Sequence, residues 1–485
     1  MTSVEAAALA VVALPALAAG ALALVGSPRA ARTVALGVAV VVAALSVALA
    51  VRALARPDDP VAGAWLALDA AGGVVLAVDG VVGLVAVLVS PAFLAGRSAA
   101  ARRSYAMALF AFWSLLLAVP LAGNLAAAWL VVEATTAASA LLVGFSGRRH
   151  ALEAAWKYLV LTTLGLGVAL FGIVVLEASG VPGEGAAGLA WGALHQAAPG
   201  LDPDVARVAF VLLLGGLAAK VGWAPVHNWL PDAHSEAPPP VSALLSGALL
   251  PSVLLVAWRV QDALAPAVGA TMSERTLLVL GLGSLAVAVP FLWRPLPWKR
   301  LLAYSSLEHM GVIAVGIAFA HPLALAGVVI HIAGHAVAKT LGFVGAVPLL
   351  DDHPAAATHA ATGVARTRPA LAATLALSLA ALAAVPPSPL FVSELLIVAG
   401  GYAGGHPWAA TATLALLALG FLGLAHAAIE LLAGRSWRSR AQEPRGLRGT
   451  LVLGVAAVPA LLALAVAAIA LPGSAIVEAL GRGLT

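Results

Sequence analysis

Residues 220–245 read KVGWAPVHNWLPDAHSEAPPPVSALL, and they lie between two apolar runs, VAFVLLLGGLAA (208–219) and SGALLPSVLLVAW (246–258). Lysine is scarce in this chain, with only Lys157, Lys220, Lys299 and Lys339. One of the four closes an apolar segment five residues before Pro225. Proline removes a backbone donor and frees a carbonyl. Within a membrane such a break is tolerated only where protein or water satisfies the freed groups. A lysine beside a broken helix is therefore the build expected of an ion site, and a lysine snorkelling to the headgroups is its bland alternative.

The surroundings are those of a membrane chain. Of 485 residues, 62% are hydrophobic and 10% charged, against roughly 25% charged in soluble domains, and the mean hydropathy is +1.03. Runs near the roughly 20 residues that a spanning helix needs recur from end to end. They give fourteen spans with cores near 4–26, 33–54, 80–97, 103–122, 124–146, 156–177, 205–224, 241–259, 276–293, 300–320, 322–348, 370–399, 408–433 and 449–472. The N-terminal run has no basic residues ahead of it, so it reads as a first span and not as a cleaved signal. The absence of cysteine excludes disulfides, thiolate-bound iron–sulfur clusters and thiol nucleophiles. The net charge of +4 comes from arginines gathered in short loops, which gives no case for nucleic-acid binding. Loops after odd-numbered spans hold Arg29, Arg32, Arg102, Arg103, Arg148, Arg149 and a cluster of Arg435, Arg438, Arg440, Arg445 and Arg448. Loops after even-numbered spans are poorer, with Arg52, Arg56, Arg207, Arg259 and Arg275 at their edges. By the positive-inside rule the odd loops are cytoplasmic and both termini are outside.

Ionisable groups inside spans are functional candidates by default, because a charge there is expensive. Glu133 sits mid-span in GNLAAAWLVVEATTAASALLVGF. In AGVVIHIAGHAVAKTLGFVGAV, a spacing of four puts His331, His335 and Lys339 on one slowly drifting helix face. Two histidines four apart can ligate zinc. The third member is a lysine and no carboxylate accompanies them on the helix, so a proton relay accounts for all three. Glu394 lies in LAAVPPSPLFVSELLIVAG, beside the breaks at Pro386, Pro387 and Pro389. The two proline-broken spans, seventh and twelfth, stand in corresponding places, which signals an internal structural repeat. Secondary candidates are Glu308 and His309 in YSSLEHMGVIAVG, with His227 and His234. Asp79 reads as an interfacial residue capping the third span.

With these residues in place, KVGWAPVHNWLPDAHSEAPPPVSALL resembles the signature of the antiporter-like membrane subunits of respiratory complex I. Those are related to cation/proton antiporter subunits and to membrane-bound hydrogenases. EAAWKYLVLTTLGLGVALFG, KRLLAYSSLEHMGVIAVGIA and HSEAPPPVSALLSG are most similar to hydrogenase-4 component F. The resemblance covers about Asp79 to Ala433. It implies an all-α polytopic fold of about fourteen transmembrane helices, with two inverted five-helix repeats and broken helices 7 and 12. The corresponding divisions are 1–102, 103–260 (first repeat), 261–433 (second repeat) and 434–485 (linker and last helix). It implies that Glu133 pairs with Lys220, that His331, His335 and Lys339 form a central relay, and that Glu394 occupies the ionisable position of the broken twelfth helix. One departure stands out. Many relatives carry a lysine, and others a histidine, in the eighth helix, where this chain has Pro251 and Ser246. The connection from Lys220 to His331 then runs through hydroxyls, waters or His309.

The function so implied is proton or cation translocation by a membrane subunit of a complex I-like or hydrogenase-like assembly in the cell's inner (plasma) membrane. It needs no metal and no cofactor of its own, and redox chemistry belongs to partner membrane and peripheral subunits. A subunit of a cation/proton antiporter or of a proton-coupled inorganic carbon transporter, and a non-conducting scaffold, are the alternatives.

Overall fold

The computed structural model describes residues 2–179, 181, 185–435 and 442–470; Arg438 and Arg440 of the basic cluster lie outside them. In chain order the helices are α1 (Ser3–Leu24), α2 (Pro28–Ala55), α3 (Ala70–Phe93), α4 (Ala99–Ala118), α5 (Leu125–Val143), α6 (Arg149–Ala178), α7 (Trp191–Ala197), α8 (Pro203–Val221), α9 (Trp229–Glu236) and α10 (Pro239–Leu244). There follow α11 (Leu250–Val268), α12 (Ala270–Leu292), α13 (Trp298–Ala318), α14 (Pro322–Asp352), α15 (Val364–Thr367), α16 (Pro369–Leu382), α17 (Pro389–Ala403), α18 (Pro407–Ala433) and α19 (Leu447–Ala470). A two-residue β-ladder, Val61–Ala62 against Ala67–Leu68, is the one departure from helix among the described elements.

The boundaries follow local chemistry. Side chains of Asp69, Asn124, Asp202 and Ser388 accept backbone N–H groups at the starts of α3, α5, α8 and α17, satisfying donors that have no partner within the helix. Prolines open α2, α8, α10, α14, α16, α17 and α18, where a missing N–H removes nothing.

Eleven of the described helices are long and apolar enough to cross a membrane, with Pro239–Val268 counted as one; α4, α8 and the α16–α17 pair bring the spans to the fourteen expected. Three spans form the centre: in their most apolar stretches every residue of Pro239–Val268 and of α13 is buried and most of α14 is, while in α1, α2, α6, α18 and α19 about a third of the residues or fewer are buried. Their outward leucines and valines, such as Leu17, Leu164 and Val455, face the lipid. Packing repeats along the chain: α4 lies on α5, α5 on α6 and α6 on α8, and in the same order α12 lies on α13, α13 on α14 and α14 on α17. The central span is not a regular helix. It passes from α10 through a single wide π turn, Leu245–Leu249, into α11.

Three expectations need correction. The third span begins ten residues earlier than its hydropathy suggested, because Asp69 caps a helix that starts through Ala70, Ala71, Gly72 and Gly73. Asp79 is consequently no cap: it sits in mid-helix with none of its surface exposed. Arg259 is not at a loop edge. It is buried in α11 and holds Asp69 at 2.6 Å.

Candidate ion-translocation axis

The chain breaks at Lys220 for a reason visible in the backbone. Helix α8 ends at Val221, and Gly222 turns out of it at φ 81°, a left-handed conformation that glycine adopts without strain. The turn precedes Pro225. Neighbouring helices then satisfy the opened backbone. Trp229 Nε1 donates to Ala219 O at 2.7 Å and Ser284 Oγ accepts from Ala224 N at 3.0 Å, while the Trp223 indole ties the break to α13 by donating to Met310 O at 2.9 Å.

Lys220, fully buried, projects from this end towards α5 and α6. Its Nζ donates to Thr136 Oγ1 at 2.6 Å and to the Tyr158 hydroxyl at 2.5 Å, and lies 4.7 Å from the Tyr158 ring centroid. Tyr158 in turn shares a hydrogen bond of 2.7 Å with Ser139. Glu133 stands one helical turn before Thr136 on α5. Its Oε1 accepts from Thr163 of α6 at 2.8 Å, and its Oε2 is buried without a partner. Glu133 and Lys220 are not within 4.0 Å among the described ion pairs, so the direct pair implied by the resemblance is open in this structure. Each end has turned to a hydroxyl instead: α6 supplies Tyr158 to the lysine and Thr163 to the carboxylate.

A second group forms where α13, α14 and α17 meet. His331, His335 and Lys339 are all buried, and their four-residue spacing turns all three towards α13. His331 Nε2 lies 3.0 Å from His309 Nδ1, and His331 Nδ1 lies 2.9 Å from Ser393 Oγ. His335 meets the His309 ring edge-on, with centroids 5.0 Å apart. Lys339 Nζ donates to Leu302 O at 2.5 Å and also contacts Ser305 Oγ. Glu394 follows Ser393, and one ligand atom each of His309, His331 and Glu394 falls within 4.8 Å of the others. Between the two groups, Ser246 in the π turn bonds Ser306 of α13 at 2.7 Å, one turn from His309.

The structure thus draws His309, a secondary candidate, into the middle of the second group. Glu308 is buried beside it, with its Oε1 against Gly420 of α18 and its Oε2 unpartnered. His234 is buried and stacks on Phe343 of α14, both ring nitrogens free of hydrogen bonds. His227 is half-buried in the segment between α8 and α9 and bonds none of the other site residues. Sequence reasoning passed over Ser139, Tyr158, Thr163, Ser305 and Ser393. Only the crowding of hydroxyls in VVEATTAAS and YLVLTT hinted at the first three.

A fourteen-span bundle with buried basic and acidic groups strung between broken helices defines a class, the polytopic membrane proteins with ionisable groups in their interior. The chain belongs within it to the NADH:quinone oxidoreductase/Mrp antiporter transmembrane family, whose profile matches residues 122–420. It is 34% identical over 302 residues to a hydrogenase-4 component F homolog of Methylacidiphilum infernorum, covering 62% of this chain and 63% of that protein. It is 31% identical over 326 residues to NADH-quinone oxidoreductase subunit N of Beutenbergia cavernae, covering 62% and 57%. The match therefore spans less than two thirds of either relative. The fold is that of a chain in the archaeal membrane-bound sulfane sulfur reductase (TM-score 0.84, 20% identity, 98% and 97% covered). A chain of the Mrp complex from Dietzia sp. shares it (TM-score 0.80, 22% identity, 99% and 97% covered).

Proposed function

We propose that this chain translocates protons as a membrane subunit of an oxidoreductase assembly of the complex I or hydrogenase type, in the plasma membrane with both termini outside. The observation that carries the reading is the buried chain of proton-bearing groups. Lys220 ends a broken helix on the hydroxyls of Thr136 and Tyr158, and His309, His331 and Ser393 link α13, α14 and α17 next to Glu394. Lysine and histidine exchange protons, and hydroxyls pass them on. Glu133 and Lys220 act as a switch: closed, the pair holds the lysine proton; open, Lys220 hands it inward by way of Ser246, Ser306 and His309 to His331, His335, Lys339 and Glu394. The functional halves are 103–260 and 261–433, flanked by 1–102 and 434–485. Electron transfer belongs to partner subunits.

The test is translocation per electron pair by the intact assembly in vesicles. Lys220→Ala should abolish it while the assembly persists. Lys220→Arg should impair it, because a guanidinium stays protonated. Glu133→Gln should resemble Lys220→Ala, and the double variant should be less than additive, as for residues acting as a unit. A non-conducting scaffold would leave translocation by the assembly unchanged in Lys220→Ala. An antiporter would exchange cations without any electron donor.

A further inference from the structure

Asp79 is fully buried in the middle of α3, and its carboxylate has one class of partner: Ser252 Oγ lies 2.9 Å from Oδ2 and 3.1 Å from Oδ1. One hydroxyl has one proton to give, so at least one carboxylate oxygen receives nothing from it. No cation of the described ion pairs reaches Asp79. The charged groups on the packed elements are committed elsewhere or lie far along their helices. On α11, Arg259 is two turns beyond Ser252 and is held by Asp69. On α14, Lys339 is held by Leu302 and Ser305, and His335 meets His309. On α2, Arg52 pairs with Asp59, while Arg29 and Arg32 open that helix; Arg102 and Arg103 are exposed in the first turn of α4.

An ionised carboxylate in such a place is strongly penalised, because burial removes its hydration and a single hydroxyl, with no cation, replaces it. A neutral carboxyl, by contrast, suits the site, for it can donate to Ser252 as well as accept. Ser252 directly follows Pro251, in the same span as Ser246, whose hydroxyl is bonded to that of Ser306 beside His309. Pro251 is where the family resemblance leads one to expect a lysine. The acid on α3 therefore faces the very part of the eighth span that has lost its own ionisable group.

We propose that Asp79 is a proton-carrying carboxyl that serves the translocation path from the third span, with Ser252 as its hydrogen-bond contact to the eighth. This rests on the translocation reading above. Asp79 takes up one proton and returns one, so no other reactant is needed.

The experiment combines infrared spectroscopy of the purified assembly with translocation per electron pair in vesicles. The expected result is a carbonyl-stretch band of a protonated carboxyl that Asp79→Asn removes and Ser252→Ala shifts. Translocation should be lost in Asp79→Asn, with electron transfer continuing, and regained at least in part by Asp79→Glu. Ser252→Ala keeps the acid and should slow translocation without abolishing it, so the idea stays testable if Asp79→Asn fails to assemble. No band change in Asp79→Asn, or unchanged translocation in Asp79→Asn and Ser252→Ala from a working wild type, overturns the role of Asp79 and leaves the Lys220 axis intact. A wild type that does not translocate at all overturns both.

Discussion

Lys220→Met should separate what the lysine does for function from what it does for stability. The ammonium forgoes bulk hydration, an effective penalty of several kcal/mol for a buried ion. Against this stand two hydrogen bonds, to Thr136 and Tyr158, each worth about 1.5–3 kcal/mol for a charged donor, and the contact with the Tyr158 ring, worth up to about 2 kcal/mol when desolvated. Methionine removes both sides of this balance and fills much of the same space. Neither hydroxyl is stranded: Tyr158 keeps Ser139 at 2.7 Å, and Thr136 keeps Val132 O at 3.4 Å. The net change should lie within about 2 kcal/mol of zero. Lys220→Ala also empties the site, and should lose about 2–5 kcal/mol, as large-to-small core substitutions do. The assay is thermal or denaturant unfolding in a fixed detergent, alongside translocation in vesicles. Both variants should be inactive, with the methionine variant clearly the more stable. A methionine variant as unstable as the alanine variant would show the ammonium to be a structural keystone, and an active one would end its role as a proton carrier.

Other outcomes follow from particular contacts. A Cβ at Gly420 would lie 1.8 Å from Glu308 Oε1; because a flexible carboxylate can swing away, Gly420→Ala should alter translocation while changing stability by less than about 1 kcal/mol, and Glu308→Ala should erase the difference. Gly83→Ala drives a methyl to 2.0 Å from the Trp113 ring, which is wedged in place by a hydrogen bond to Asp79 O, so unfolding should show a loss of about 1–3 kcal/mol. Arg259→Met leaves the Asp69 carboxylate without its cation and should cost about 3–5 kcal/mol, more than Arg259→Met combined with Asp69→Asn. Purified protein should contain no stoichiometric zinc by elemental analysis, since His309 Nδ1 and His331 Nε2, 3.0 Å apart, are hydrogen-bond partners of each other.

How much of this was legible in the chain depends on the kind of signal. Spans and breaks announce themselves through long apolar runs and clustered prolines, and Glu133, Lys220, His331, His335, Lys339 and Glu394 are conspicuous because charge is so rare around them. Hydroxyls are not conspicuous. A serine or threonine in an apolar helix most often bonds the carbonyl a turn behind it, as Thr162 does to Tyr158 O and Ser284 to Leu280 O, and nothing in the string marks out Thr136 or Ser305 as receiving a lysine. Asp79 was misplaced because paired alanines and glycines at 70–73 look like a loop until Asp69 is seen capping them. The open distance between Glu133 and Lys220 is a matter of rotamers, on which a sequence is silent.

The π turn at Leu245–Leu249 acts as an indexing step. A regular α-helix advances about 100° per residue, and a π turn holds one residue more than an α turn, so everything after it is rotated by about that angle relative to an uninterrupted helix. This lets one transmembrane rod aim Ser246 at α13 and, six residues later, Ser252 at α3. Deleting a single residue within the turn would preserve length, hydropathy and burial almost unchanged, yet turn Ser252 away from Asp79. The phase of the central rod, as much as its composition, decides which neighbours it can address.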